Sequence, residues 1–258
     1  MRATVMTALV WVVATSGLAN GQAATELAPN GTLRVGVLVS NPVLVTKGPN
    51  GTLAGVSVDL GRLIAAKLGA RYQEVTYETT EAFAKSFGSG AWDIAIGPRT
   101  PIAEKTSELS PPFMLVDNIY VAAPGRNFAD ASEVDRPGVR IAVVLNGAPD
   151  QFLSRNLKAA TLVRIQGATP QIVEALQTGK ADAYGSNAEN VQAAADAVPG
   201  SKILPGAFRT VSMVVAFPRG KSLGAQATIK ALVGEAKSSG LVQRAIDSAR
   251  LKGVRAAD

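Results

Sequence analysis

The chain has 258 residues, of which 47% are hydrophobic and 18% charged, an ordinary globular composition with length for one large or two modest cores. It contains neither cysteine nor histidine, which excludes disulfides, zinc–thiolate and His-based metal sites, and Ser–His or Cys–His catalysis. The net charge of +6 is dispersed without a run of Lys or Arg and aromatics reach only 5%, so it points to a general surface property or an anionic ligand rather than to nucleic acid.

The first residues read as an export signal. Arg2 gives a short positive region, Ala3 to Ala14 is an almost uncharged apolar run, and small residues follow up to Ala23 and Ala24, so cleavage is expected there and residues 1–24 are assigned to a signal peptide. Spanning a bilayer takes about 20 apolar residues, and Ser16, Gly17, Asn20, Gly21 and Gln22 interrupt the run too early. No later stretch is long enough to span, and no cysteine is present for a lipid tether, so a free periplasmic protein is expected.

From Thr32 onward, short β-branched runs alternate with helical patterns, the sign of an α/β fold with mainly parallel sheets. The first strand is expected over Leu33 to Val39. Ser57 then caps a helix that places Leu60, Leu63, Ile64 and Leu68 on one face and stops at Gly69. A strand over Tyr72 to Tyr77, a helix capped by Thr79 or Thr80, and a strand over Asp93 to Ile96 follow.

The second half repeats this grammar with a strand over Val139 to Leu145, a helix from about Ala148, and a strand over Leu162 to Ile165. Thr169 and Pro170 then open a helix that buries Ile172, Val173 and Leu176. Asp182 stands three residues after Gly179, as Asp93 stands three after Gly90, which fits two lobes built to one plan. Two extended apolar stretches, Ile119 to Ala123 and Ser212 to Phe217, are expected to cross between them. Residues 30–121 plus 215–258 would form a discontinuous first lobe and residues 122–214 the second, with ligand held between them at the carboxyl ends of strands.

Six segments in order then resemble the extracellular solute-binding proteins of family 3: GTLRVGV from Gly31, GTLAGVSVDLGRLIAAKLGA from Gly51, SGAWDIAIG from Ser89, LSPPF from Leu109, GVRIAVVLNGAP from Gly138 and LQTGKADAYGSN from Leu176. The resemblance implies a two-lobed periplasmic-binding-protein-like α/β fold, usually monomeric, that closes on a small-molecule ligand and docks on a membrane ABC permease. It implies no cofactor and no metal. Asp59, Asp93 and Asp182 read as scaffold, the first complementing a helix dipole and the others capping turns. Trp92 reads as packing.

Amino-acid binders of this family usually carry an arginine for the ligand carboxylate at a place that falls here on Ala103, with Arg99 four residues earlier. The acidic partner for the ligand ammonium is replaced by Asn187, which cannot neutralise it. The second-lobe loop offers Gly147, Ala148 and Pro149 where a hydroxyl is usual. A ligand other than an ordinary α-amino acid is therefore expected, since a buried unpaired ammonium is costly. The candidate ligand-binding residues are Arg99, Thr100, Asn187, Asn146, Gly147 and Asn41. Glu189 keeps an alternative open, because the resemblance extends to periplasmic dehydratases of the cyclohexadienyl type and a carboxyl group in a closed cleft can act as general acid. A ligand-sensing accessory subunit is a further alternative.

Overall fold

The computed structural model describes residues 16–145, 147–166 and 169–258. Helix α1 (Ser16–Leu27) leads into β1 (Thr32–Leu38), and the small hairpin β2 (Thr46–Lys47) and β3 (Leu53–Ala54) precedes α2 (Val56–Lys67). Then come β4 (Arg71–Tyr77), α3 (Thr80–Ser86), β5 (Ile94–Pro98), α4 (Pro101–Thr106), β6 (Ser107–Leu109) and β7 (Met114–Ala122). The next run is β8 (Arg140–Val144), α5 (Ala148–Asn156), β9 (Thr161–Ile165), α6 (Thr169–Gln177), β10 (Ala183–Asn187), α7 (Ala188–Ala197) and β11 (Lys202–Ile203). The chain closes with β12 (Arg209–Pro218), α8 (Leu223–Ser238), α9 (Leu241–Ser248) and β13 (Val254–Ala256).

The main path through the larger sheet runs β4-β1-β5-β12-β7-β10-β8-β9. β1 pairs in parallel with β4 and β5, and β8 pairs in parallel with β9 and β10. Between these two parallel groups, β12 and β7 run antiparallel from the pair Arg209↔Asn118 to the pair Met213↔Met114. These are the two strands that join the lobes. β13 takes the free edge of β7, with Val254 opposite Val116.

Alternation along the strands explains the cores. Leu33, Val35 and Val37 are fully buried and pack, with Ile94 and Ile96, against Leu60 and Ile64 of α2, Ile229 and Val233 of α8 and Val242 and Ile246 of α9. In the second lobe β7 is covered on both faces, although its neighbours β10 and β12 run antiparallel to it. Val121 joins Tyr184, Ile172 and Val191 on the α6–α7 side, while Tyr120 joins Ile141, Val143 and Leu153 on the α5 side. Trp92 is 3% exposed and donates from Nε1 to Ser86 Oγ at 2.8 Å, the packing role expected for it.

Three local expectations change. Ser57 does not cap α2: the helix starts at Val56 after Gly55, and Ser57 is wholly buried inside it with an Oγ that has no partner. α6 buries Ile172, Ala175 and Leu176 rather than Val173. Asp93 and Asp182 do more than cap turns, because each clamps the arginine that opens the neighbouring strand. Asp93 accepts from Arg34 N, Nε and Nη2, and Asp182 accepts from the same three groups of Arg140. Most of the proposed export segment, residues 1–15, lies outside the described residues, and Ala23 and Leu27 are buried in the first-lobe core. Among the described residues no helix is long and apolar enough to cross a membrane.

Candidate functional site

The antiparallel ladder of β12 and β7 spans the interval between the carboxyl end of β5 and the carboxyl end of β10. At one end Met213 faces Pro98 and Arg99 N donates to Ser212 O at 2.8 Å. At the other, Asn187 faces Asn118, which faces Arg209. Residues opposite one another in antiparallel strands share a sheet face, so Asn187, Asn118 and Arg209 form one polar row across three strands.

On the first lobe, Thr100 is the N-cap of α4 and its Oγ1 accepts from Ala103 N at 3.3 Å. Its hydroxyl hydrogen is left to donate. Ala103, the position at which the resemblance implies an arginine, is 1% exposed and packed. Arg99 is about half exposed, and its Nε donates to Glu104 Oε1 at 2.6 Å. The guanidinium is thus neutralised on its own lobe by a carboxylate five residues along the chain. Asn41 Oδ1 accepts from Val43 N at 3.2 Å and its main-chain oxygen accepts from Leu44 N and Val45 N, folding the loop after β1.

On the second lobe, Asn187 caps α7, its Oδ1 accepting from Asn190 N at 2.9 Å. With the oxygen engaged, its Nδ2 remains a donor without a partner among the described residues. Gly147 is the N-cap of α5 in extended conformation, and a Cβ there would stand 3.0 Å from Val144 O. Asn146 lies outside the described residues.

The carboxylates near this row are occupied. Asp117 Oδ1 accepts from Thr210 Oγ1 and its Oδ2 pairs with Arg255. Glu189 stands in the first turn of α7 as expected, and its Oε1 accepts from Lys252 N at 2.7 Å. A recess of about 1120 Å3 between α2, α9 and Glu189 includes Asp59, Arg62 and Arg244 but none of the residues named for the cleft. Only Glu189 reaches it from the second lobe, so it is not where two lobes would close. Among the described residues no group of three or more acidic side chains is placed to hold a metal ion.

Asn118 and Arg209 were missed from the sequence. They sit one and three residues outside the two apolar runs read as crossing strands, where a polar residue looks like the end of the element.

Two parallel-sheet lobes joined by two crossing strands, with hydrogen-bond donors at the carboxyl ends of β5 and β10, define a two-lobed binding-protein fold. The chain belongs to the bacterial extracellular solute-binding proteins, family 3, whose model matches residues 33–243. No curated protein matches the sequence. Among solved structures, a mutant of ArgBP from T. maritima is similar with a TM-score of 0.62 and 22% identity, covering 88% of this chain and 98% of that one. An ancestral cationic amino acid solute-binding protein matches with a TM-score of 0.66 and 20% identity over 87% of this chain and 98% of its own. An ancestral cyclohexadienyl dehydratase matches with a TM-score of 0.55 and 21% identity over 88% of this chain and 96% of its own.

Proposed function

We propose that this chain is a periplasmic solute receptor that delivers a small anionic or acceptor-rich metabolite to an ABC permease, after removal of residues 1–24. The lobes, residues 30–121 with 215–258 and residues 122–214, would rotate closed about the crossing strands and present the liganded form to the permease as a monomer. The observation that carries this reading is that the two carboxylates nearest the cleft row are engaged elsewhere while hydrogen-bond donors there are not. Thr100 and Asn187 each spend an acceptor on a helix cap and keep hydrogens to give, while Asp117 and Glu189 are engaged elsewhere. Such a set receives a carboxylate or carbonyl and leaves an ammonium without a charge partner. An ordinary α-amino acid is therefore disfavoured, although the similar structures include amino-acid binders.

A thermal-shift screen of the protein against amino acids, their derivatives, organic acids and prephenate tests this. A ligand at about 100 times its dissociation constant stabilises by about 2.7 kcal/mol, which is read as several degrees. Organic acids are expected to raise the melting temperature and standard α-amino acids are not. A strong shift with a standard α-amino acid would overturn the specificity.

The similarity to a cyclohexadienyl dehydratase supports a second reading as a lyase with Glu189 as acid. Against it, the Glu189 carboxylate is held by the Lys252 main-chain N–H and lines the recess beside α2 and α9. Incubation with prephenate is expected to give no steady turnover, and turnover abolished by Glu189→Gln would establish the lyase instead.

A further inference from the structure

Two side chains on the crossing strands are placed in a way that folding alone does not reward. Asn118 is only 7% exposed, yet its carboxamide makes no hydrogen bond among the described residues. A carboxamide with only this sliver of solvent contact and no protein partner adds little to folding stability, whereas a hydrogen-bond partner in the cleft would use it fully.

Beside it, Arg209 is half-buried and has no carboxylate within ion-pairing distance among the described residues. Its guanidinium lies 4.9 Å from the centre of the Phe152 ring. That ring is backed by Phe208 at 6.2 Å, which is stacked on Tyr120 at 4.4 Å. Burial, and then the charge of Arg155, pull the Arg209 pKa below its ordinary value. Elsewhere in the same lobe the pattern is different: Arg126 and Arg140 share Asp182, and Arg164 pairs with Asp150.

We propose that Arg209, with the Asn118 carboxamide, forms the anion anchor of the cleft, and that the ligand carries a carboxylate. The proposal rests on the receptor reading above. The Phe152 ring beneath the guanidinium carbon limits where the group can sit, and its N–H donors have no carboxylate partner among the described residues, so they can meet a ligand carboxylate with two parallel hydrogen bonds. Asn118 adds a donor from the adjacent strand, and the free Nδ2 of Asn187 lies in the same row. The anchor thus falls on the crossing strands rather than at Ala103 or Arg99, whose guanidinium is already paired with Glu104.

The test compares carboxylates with their neutral amides at constant ionic strength: succinate with succinamide, benzoate with benzamide, and citrate, each by thermal shift and titration calorimetry. At least one carboxylate is expected to bind and its amide is not. Arg209→Gln is expected to weaken that binding by about tenfold or more while its unliganded melting temperature stays within about 2 °C. Should Arg209→Gln fold poorly, Arg209→Lys keeps the charge, loses the fork, and is expected to bind at an intermediate level. Asn118→Leu is expected to leave the unliganded melting temperature within about 2 °C and yet weaken binding, a combination that a purely structural residue would not give. The inference is overturned if Arg209→Gln binds as well as the parent, if the amides bind equally, or if Arg99→Gln rather than Arg209→Gln removes the shift. If amino acids or neutral solutes bind and no carboxylate does, the receptor reading survives and the anchor does not. If no compound of any class binds, both fall.

Discussion

Asp182→Ala is expected to lower the melting temperature by roughly 6–12 °C, on about 3 kcal/mol of lost stability at 2–4 °C per kcal/mol for a chain of this size. The Asp182 side chain is 3% exposed and ties Arg140 through N at 2.8 Å, Nε at 3.1 Å and Nη2 at 2.8 Å, with Arg126 on the same carboxylate. Breaking a buried pair by removing one partner costs about 3–5 kcal/mol. The lower end applies because the Arg140 and Arg126 side chains are 38% and 48% exposed and regain water when released. Burial pushes the Asp182 pKa up, but the Arg140 side-chain and main-chain hydrogen bonds and the charges of both arginines outweigh it and hold the carboxyl below its ordinary value. A depressed folded-state pKa gives stability that is present in full above the unfolded value, near 3.9, and is lost as pH falls through the folded value. The gap in melting temperature between the parent and Asp182→Asn, followed from neutral pH downward, is therefore expected to be constant until about pH 4 and then to narrow. A gap below about 2 °C at neutral pH would show that the clamp does not hold the second lobe together.

The same clamp in the first lobe shows how far the sequence could be read. The matching placement of Asp93 after Gly90 and of Asp182 after Gly179 was legible, and it does mark a repeated device. Its other half was not, because Arg34 and Arg140 lie 59 and 42 residues earlier in the chain and periodicity carries no information about partners at that separation. The parallel strands β1, β4, β5, β8 and β9 and the helices α2, α3, α5 and α6 were legible, since each alternates or turns its apolar residues toward a core, whereas α4, β6, α8, α9 and β13 carried no expectation and β7 begins five residues before the run read for it. The error at α2 is of another kind. Ser57 has the side chain of a cap, but the helix start is set by the loop after β1 packing beneath it, a tertiary contact that places Ser57 in the core.

The strand exits proposed for the site were legible in the sequence, and the partners of their side chains were not. Thr100 and Asn187 do stand at strand exits with donors to spare, because a residue that ends a strand and caps the next helix is recognisable from its neighbours. Arg99 looked like the anion contact on the same grounds, yet the following turn of α4 supplies Glu104 within reach, and a local ion pair forms first. Arg209 and Asn118 could not be found by scanning for apolar strands, since Asn118 ends one such run and Arg209 lies three residues beyond the other. A signal was present nonetheless: β7 runs on through Asn118 to Met114 and β12 begins at Arg209, so both polar residues belong to the ladder, and a buried asparagine in mid-strand calls for an explanation.

Gly55→Ala is expected to be a strongly damaging single-methyl change in the first lobe, and it connects the fold to the mouth of the site. Gly55 has φ 111° and ψ 176°, a region open almost only to glycine, where another residue costs about 1–3 kcal/mol. An added Cβ would also stand 2.7 Å from Leu44 O, a main-chain atom that cannot rotate away, and forced overpacking adds about 1–3 kcal/mol. The same carbonyl accepts from Ser57 N at 3.1 Å, while Gly55 O accepts from Val58 N and Asp59 N at 3.0 Å each. Relieving the clash therefore displaces either the first turn of α2 or the loop in which Val43, Leu44 and Val45 are buried and Asn41 makes the turn. Gly69→Ala separates the two contributions: its φ is +66° and nothing lies within 4 Å of the added carbon, so only the left-handed backbone penalty of about 1–2 kcal/mol applies. Denaturant unfolding of the two variants is expected to show Gly55→Ala losing about twice as much stability or more, with ligand affinity reduced in Gly55→Ala alone. Equal losses would mean that the loop after β1 yields freely, and that α2 does not fix the position of Asn41.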